Sequence, residues 1–312
     1  VGVSTQLDSL RAFVSSRPTL VPNASTGPRN VIVVGSGKGG SGTSVVAALI
    51  ALSAAAAGRR VLLVDADEHV GPQRYLLGIG VGPTLADLRG TADAASIAVP
   101  VSATLSVIRG GPPASGTSMQ EPAERRAALR RAASLYAGHD LVVIDGGSRL
   151  DTVCACCEAT GAGGLARLVV VSGIEPIALA ASYALVKAAR ERTSAMTGTA
   201  VAADVVVNRH DDEAAEHAFA QVADACRFFL DAPLRLVGSL PNDPSLEVAL
   251  RAGMSLQDAA AGSPAAVATQ TLTERLLADL GAPNGAPRLA LPSRRAANPY
   301  ASSLATPAGA TR

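Results

Sequence analysis

Gly35, Gly37, Gly39, Gly40 and Gly42 clear the side chains from the turn GSGKGGSGTS, so backbone there can wrap an anion closely. Successive N–H groups would point inward, and a helix starting near Ser44 would add its positive end, which together suit a phosphate. Ser44 brings a hydroxyl to the position of a Mg2+ ligand, and Ser41 and Thr43 complete the turn. A phosphate loop ordinarily ends in Gly-Lys-Ser/Thr, with the lysine reaching the outer phosphates. In this chain Thr43 stands at that place, and the loop's only lysine, Lys38, lies upstream of it.

Two acidic turns follow. RRVLLVDADEHVGPQR ends an apolar run with Asp65 and Asp67, and HDLVVIDGGSRL ends another with Asp145. A carboxylate straight after a buried strand is costly unless it faces a ligand or a cation. Three of them converging on a phosphate loop predict a Mg2+–phosphate site. No nucleophile–base pattern competes with that reading. His69, His210 and His217 read as surface residues, and Glu68 as a solvated neighbour of Asp67.

Elements must exist to bring these turns together. The strand candidates are Val31–Val34, Val61–Val64, Leu105–Ile108, Leu141–Ile144, Leu168–Val171, Val205–Val207 and Arg235–Val237, and most are continuous apolar runs, which is how parallel strands covered on both faces read. Helical stretches alternate with them at Ser44–Ala57, Pro122–Ala137, Pro176–Arg190, Glu213–Leu230 and Pro264–Leu280. This alternation predicts an α/β fold, a doubly wound, mostly parallel sheet flanked by helices, whose ligands sit at the carboxyl ends of the strands. Residues 1–16 carry Leu7, Leu10, Phe13 and Val14 at the spacing of one short helical face, and 17–30 read as a proline-bearing linker. The nucleotide-binding region is expected over 31–280, and a disordered tail over 281–312, where Pro287, Pro292 and Pro299 interrupt any lipid-binding helix.

Composition sets bounds on this. The 312 residues are 48% apolar, with a net charge of +1, so no global field draws the chain to nucleic acid. The stretch Val45–Ala57 is too short to span a bilayer. Cys154, Cys156 and Cys157 lack the spacing of a zinc site and read as core filler, as does distant Cys226.

GKGGSGTS resembles the deviant phosphate loop of the MinD/ParA ATPases, and LLVDAD and VVIDGG are similar to their two switch segments. The resemblance runs on through LVVVSGIEPIALAASYALVKAAR, VVVNRH and LVGSLPNDPSLEVALRAG. Within that family the chain is most similar to the MinD-like regulators of flagellar number and placement, the FlhG/FleN group. FFLDAPLRLVGSLPNDPSL, SPAAVATQTLTERLL and the N-terminal TQLDSLR carry this closer likeness.

The resemblance implies ATP and Mg2+ as cofactors and a homodimer assembled on ATP binding. Lys38 would reach the phosphates across the dimer, Gly37, Gly39, Gly40, Ser41 and Gly42 would form the cradle, and Ser44, Asp65, Asp67 and Asp145 would surround the metal. Asp67 would also position the attacking water. Asn208, Arg209, Pro241, Asn242 and Asp243 would meet the adenine. Residues 5–11 would contact an FlhF-like GTPase or another flagellar component, in a protein that is cytoplasmic or peripheral at the inner face of the cell membrane. Thr43 departs from the family's second lysine. Loss of that charged contact is expected to cost about 1.5–3 kcal/mol of binding, and to slow turnover by roughly two to three orders of magnitude. The expectation is a nucleotide-responsive regulator with weak or absent hydrolysis. The rival readings are a nucleotide-free scaffold and a ParA-type DNA-segregation ATPase using Arg125, Arg126, Arg130 and Arg131.

Overall fold

The computed structural model describes residues 30–89, 93–113, 122–160 and 166–280. The expected N-terminal helix, the linker up to residue 29 and the tail lie outside them. Eight strands form one sheet in the order β3-β4-β2-β5-β1-β6-β7-β8. They are β1 (Val31–Gly35), β2 (Val61–Asp65), β3 (Ala98–Pro100), β4 (Leu105–Ile108), β5 (Leu141–Asp145), β6 (Ala166–Ser172), β7 (Ala202–Asn208) and β8 (Arg235–Leu240). All pair in parallel except β3, which runs antiparallel to β4 at the edge.

The continuous apolar runs have a direct explanation. Side chains alternate across a strand, and here both faces are covered. Val31, Val33, Leu62, Val64, Val142, Ile144, Leu168 and Val170 enter one core. Their neighbours Ile32, Val34, Val61, Leu63, Leu141, Val143, Val169 and Val171 enter the other. Each such aliphatic side chain contributes about 1.5–3 kcal/mol of burial.

The second core is roofed by α1 (Thr43–Ala56) and by Leu272 and Leu276 from the closing helix, which spans Pro264–Leu280. Between α1 and that helix, in chain order, come α2 (Pro72–Leu76), α3 (Ala94–Ile97), α4 (Pro122–Ala132), α5 (Leu150–Thr160), α6 (Pro176–Thr197), α7 (Asp212–Leu230), α8 (Pro244–Arg251) and α9 (Leu256–Ala259), which makes the closing helix α10. Helices α4 to α7 cover the first core. There Cys154, Cys156, Cys157 and Cys226 are free and buried, as expected of filler. Burial pushes all four thiols up, which makes them inert. Among the described residues no group of His, Cys, Asp and Glu is arranged to hold a metal by those ligands alone, and no helix is long and apolar enough to cross a membrane.

The differences from expectation are local. Helix α4 stops at Ala132 and gives way to a 3-10 turn over Ala133–Gly138. Helix α6 runs seven residues past Arg190 to Thr197 and closes on Gly198 at φ 76°. Strand β3 has three residues, two half-covered and Pro100 exposed, too few to show a period.

Candidate functional site

At the carboxyl end of β1 the chain turns through Gly40 and Gly42, both left-handed at φ 81° and 84°, and enters α1. Gly42 is the N-cap of α1 and offers no side chain to its first-turn amides, nor is there an acidic residue in that turn. The positive end of α1 is thus left for an external acceptor. The loop is shaped from within: Ser36 Oγ and Ser41 Oγ both donate to the Lys38 carbonyl, at 2.8 and 2.9 Å. It is also packed tightly. A Cβ at Gly37 would lie 2.2 Å from the Ala181 carbonyl of α6, and one at Gly42 would lie 2.3 Å from Asn208 Nδ2. Asn208, at the end of β7, donates that amide to the Ser41 carbonyl at 2.8 Å. Thr43, the first residue of α1, is buried and brings no charge.

Asp65 and Asp145 end the neighbouring strands β2 and β5 as register partners, both fully buried. Asp65 Oδ1 accepts from Asp67 N at 3.0 Å and its Oδ2 from Gln73 N at 2.9 Å. Asp145 accepts from Gly147 N at 3.0 Å, from Gln73 Nε2 at 2.8 Å, and from the Ser44 side chain. Burial pushes both carboxyls up, Asp65 the more strongly because the Asp145 charge bears on it. Two buried carboxylates a strand apart, beside a serine hydroxyl, form an oxygen-rich donor set suited to a divalent cation. Asp67 turns its Oδ1 toward the backbone N–H groups of His69 and Val70, at 2.8 and 3.0 Å, and so holds its own loop.

Gln73, buried in the short α2, was not among the expected site residues. Its amide nitrogen bridges Asp145 Oδ2 and the Ser44 carbonyl at 2.8 and 2.9 Å. Both neighbours are acceptors, which fixes the orientation of the amide. Its own Oε1 is buried without a partner. Glu68 corrects an expectation: it is buried and ion-paired with equally buried Arg125. Of the arginines of α4, Arg126 pairs with buried Glu158 at 3.0 Å and Arg131 donates to the Leu88 carbonyl at 2.6 Å, so this run is no free basic stripe. His69 and His217 are exposed and His210 half-buried.

Beside the cradle, on the β7–β8 side, lies a cavity of about 290 Å³. Gly42, Val45, Val46 and Leu49 form one wall, Leu246 and Leu250 of α8 another, and Asn208, Arg209, Pro241, Asn242 and Asp243 the mouth. Apolar walls with a polar rim suit a flat heterocycle. Arg209 holds a left-handed φ of 68° there, a conformation uncommon for a side-chain-bearing residue. Asp243 spends its carboxylate on structure. Its Oδ1 caps α8 at Leu246 N, and its Oδ2 accepts from Ala265 N. Burial pushes that carboxyl up, yet hydrogen bonds from Ser245, Leu246, Ala265 and Ser263 together outweigh burial and hold it below its usual value.

The expected residues therefore meet along one edge of the sheet: cradle after β1, carboxylates after β2 and β5, cavity after β7 and β8. The antiactivator FleN of Pseudomonas aeruginosa is 28% identical over 254 residues, covering 80% of this chain and 86% of FleN. Among solved structures, MinD of Pyrococcus horikoshii in complex with Mg-ADP is similar at a TM-score of 0.60 and 21% identity, over 79% of this chain and 95% of that one. A ParA family ATPase of Chlorobium tepidum is similar at a TM-score of 0.59 and 21% identity, over 80% and 99%. The CobQ/CobB/MinD/ParA nucleotide binding domain matches residues 32–256, and the chain belongs to that family.

Proposed function

We propose that this chain binds ATP with Mg2+, forms a homodimer around the bound nucleotide, and acts through partner contacts as a regulator of flagellar placement or number, with slow or absent hydrolysis. One observation carries the reading: the uncapped start of α1, the buried carboxylate pair and the apolar cavity are contiguous along one sheet edge. A triphosphate nucleotide with its cation uses all three at once. The amides of Gly39 to Ser44 would cradle phosphates. Ser44, Asp65, Asp67 and Asp145 are the oxygen donors for the metal, directly or through water, and the metal would offset phosphate charge. Asn208, Arg209, Pro241 and Asn242 would face the base, with Asp243 shaping that turn.

Lys38 is half-exposed, with Nζ 4.0 Å from an equally accessible Glu175 carboxylate. A contact so long and wet is easily exchanged, which leaves this lysine free to reach a second copy. Similarity to a protein named an antiactivator supports a regulatory role, and similarity to a MinD solved with Mg-ADP supports the ligand. Residues 5–11 are the proposed partner segment. Titration calorimetry of the full chain with Mg-ATP, alongside sedimentation, tests the reading. The expected result is saturable, Mg2+-dependent binding with a shift from monomer to dimer. A flat titration would reject it in favour of a nucleotide-free scaffold.

A further inference from the structure

The loop after β5, residues 146–149, closes one flank of the cradle and is fixed at three points. The Gly147 carbonyl accepts from Ser36 N at 3.0 Å, and its N–H donates to Asp145 Oδ1 at 3.0 Å. Ser148 lies against the glycine turn, its Oγ 3.7 Å from where a Cβ on Gly39 would sit. Arg149 follows at once. Its Nη1 stands 3.0 Å from His69 Nε2, across the loop that carries Asp67. A guanidinium only donates, so Nε2 is the acceptor in this contact.

Arg149 is exposed, and among the described residues no carboxylate lies within ion-pair reach of it. Several arginines elsewhere are paired with carboxylates at short range: Arg125 with Glu68, Arg126 and Arg192 with Glu158, Arg167 with Asp204. Here a guanidinium with no carboxylate in reach is held at the rim of the cradle by an imidazole nitrogen, which a phosphate oxygen can replace.

The sheet order gives this charge a direction. The cavity lies beyond β7 and β8, the cradle follows β1, and Arg149 and His69 follow β5 and β2 on the opposite side. A nucleotide seated with its base in the cavity and its phosphates over the glycine turn points its terminal phosphate toward Arg149. Thr43 leaves that end of the phosphate chain without the usual lysine. We infer that Arg149 binds the terminal phosphate of the nucleotide from within the same chain, supplying the positive charge that Thr43 lacks. This rests on the nucleotide reading above. A planar guanidinium can grip two phosphate oxygens at once, and an arginine supplied in cis is an established way to meet such charge.

The test compares the full chain with R149A, titrated with Mg2+ and either ADP or the non-hydrolysable analogue AMPPNP. Wild type is expected to bind AMPPNP more tightly than ADP. R149A is expected to weaken AMPPNP by about 10- to 100-fold, the scale of one charge-assisted contact, while ADP changes less than about threefold on the same scale. In the R149A background, T43K is expected to return most of the lost AMPPNP affinity. An unchanged AMPPNP-to-ADP ratio in R149A overturns the inference alone, as does an equal loss of both, which marks a merely structural loop residue. Failure of wild type to bind either nucleotide overturns the nucleotide reading, and this inference with it.

Discussion

The side-chain amide of Gln73 is tied to the carboxylate of Asp145 at 2.8 Å, although 72 positions separate them. The same residue gives its backbone N–H to Asp65 and its remaining amide hydrogen to the start of α1. One residue, through its backbone and its side chain together, thus holds the two buried carboxylates and the helix of the cradle in a fixed relation.

Gln73→Leu, close in size, removes the donor and leaves Asp145 short of a hydrogen bond in a dry site. A loss of about 1.5–3 kcal/mol in unfolding free energy is expected, the scale for a bond to a charged group. Urea denaturation measures it. Mg2+-dependent nucleotide binding is expected to weaken in parallel, because Asp145 loses its tie to the start of α1 while the backbone bond to Asp65 stays.

Acidity offers a second check. The carboxyls of Asp65 and Asp145 are raised in the folded chain by burial, and that of Asp65 also by its neighbour's charge. A raised carboxyl favours folding below its unfolded value, about 3.9, and this contribution disappears as pH climbs through the folded value. The ligand-free protein is therefore expected to gain stability from this pair as pH falls from neutrality toward 4. Mg-ATP, by neutralising the pair, is expected to flatten the gain. Asp140 acts in the opposite sense: hydrogen bonds from the Arg60 side chain and backbone hold its carboxyl at about 2. That stabilisation is present above the unfolded value and is lost as pH drops through 2. Denaturant midpoints at a series of pH values, for wild type and Asp65→Asn, separate the two signs.

Thr43→Lys restores a cation at the first turn of α1. Mg-ATP affinity is expected to rise, by up to the roughly 10- to 100-fold of one charged contact, and turnover to rise by up to two to three orders of magnitude on the scale of single-donor deletions. Calorimetry and phosphate release report the two separately. If neither moves, Thr43 is no deficit.

Breaking the Glu68–Arg125 pair strands a buried guanidinium. Glu68→Ala is expected to cost about 3–5 kcal/mol, read from thermal or chemical unfolding, whereas Glu68 treated as a surface residue would predict almost nothing. Double replacement of both residues by apolar ones is expected to recover much of the loss.

The parts legible in the sequence are those whose physics is local. A parallel strand covered on both faces must be apolar throughout, so Val31–Val34 and Leu141–Ile144 announce themselves, and an anion loop needs glycine within a few positions. Gln73 gave no such signal: it sits in a five-residue helix with no readable period, and only the fold carries it to Asp145. Glu68 read as solvated because its partner Arg125 lies 57 positions away, in a run that looks like an exposed charged face. The cavity was half-legible. Pro241 to Asp243 stood out as a turn, but Val45 was one residue of an expected helix and Leu246 and Leu250 lay in no expected element, and only the fold brings α1 and α8 together across the cavity.

The central strand has a consequence for how the chain matures. β1 stands between β5 and β6, and Asn30 at its threshold bonds to the carbonyl of Asp140, 110 positions later. A nascent chain that has released the glycine turn has therefore not yet made either neighbour that gives β1 its place. Such long-range closure slows folding and leaves hydrophobic segments open to self-association meanwhile. Although it is written near the start of the domain, the cradle takes shape only once synthesis has passed β5.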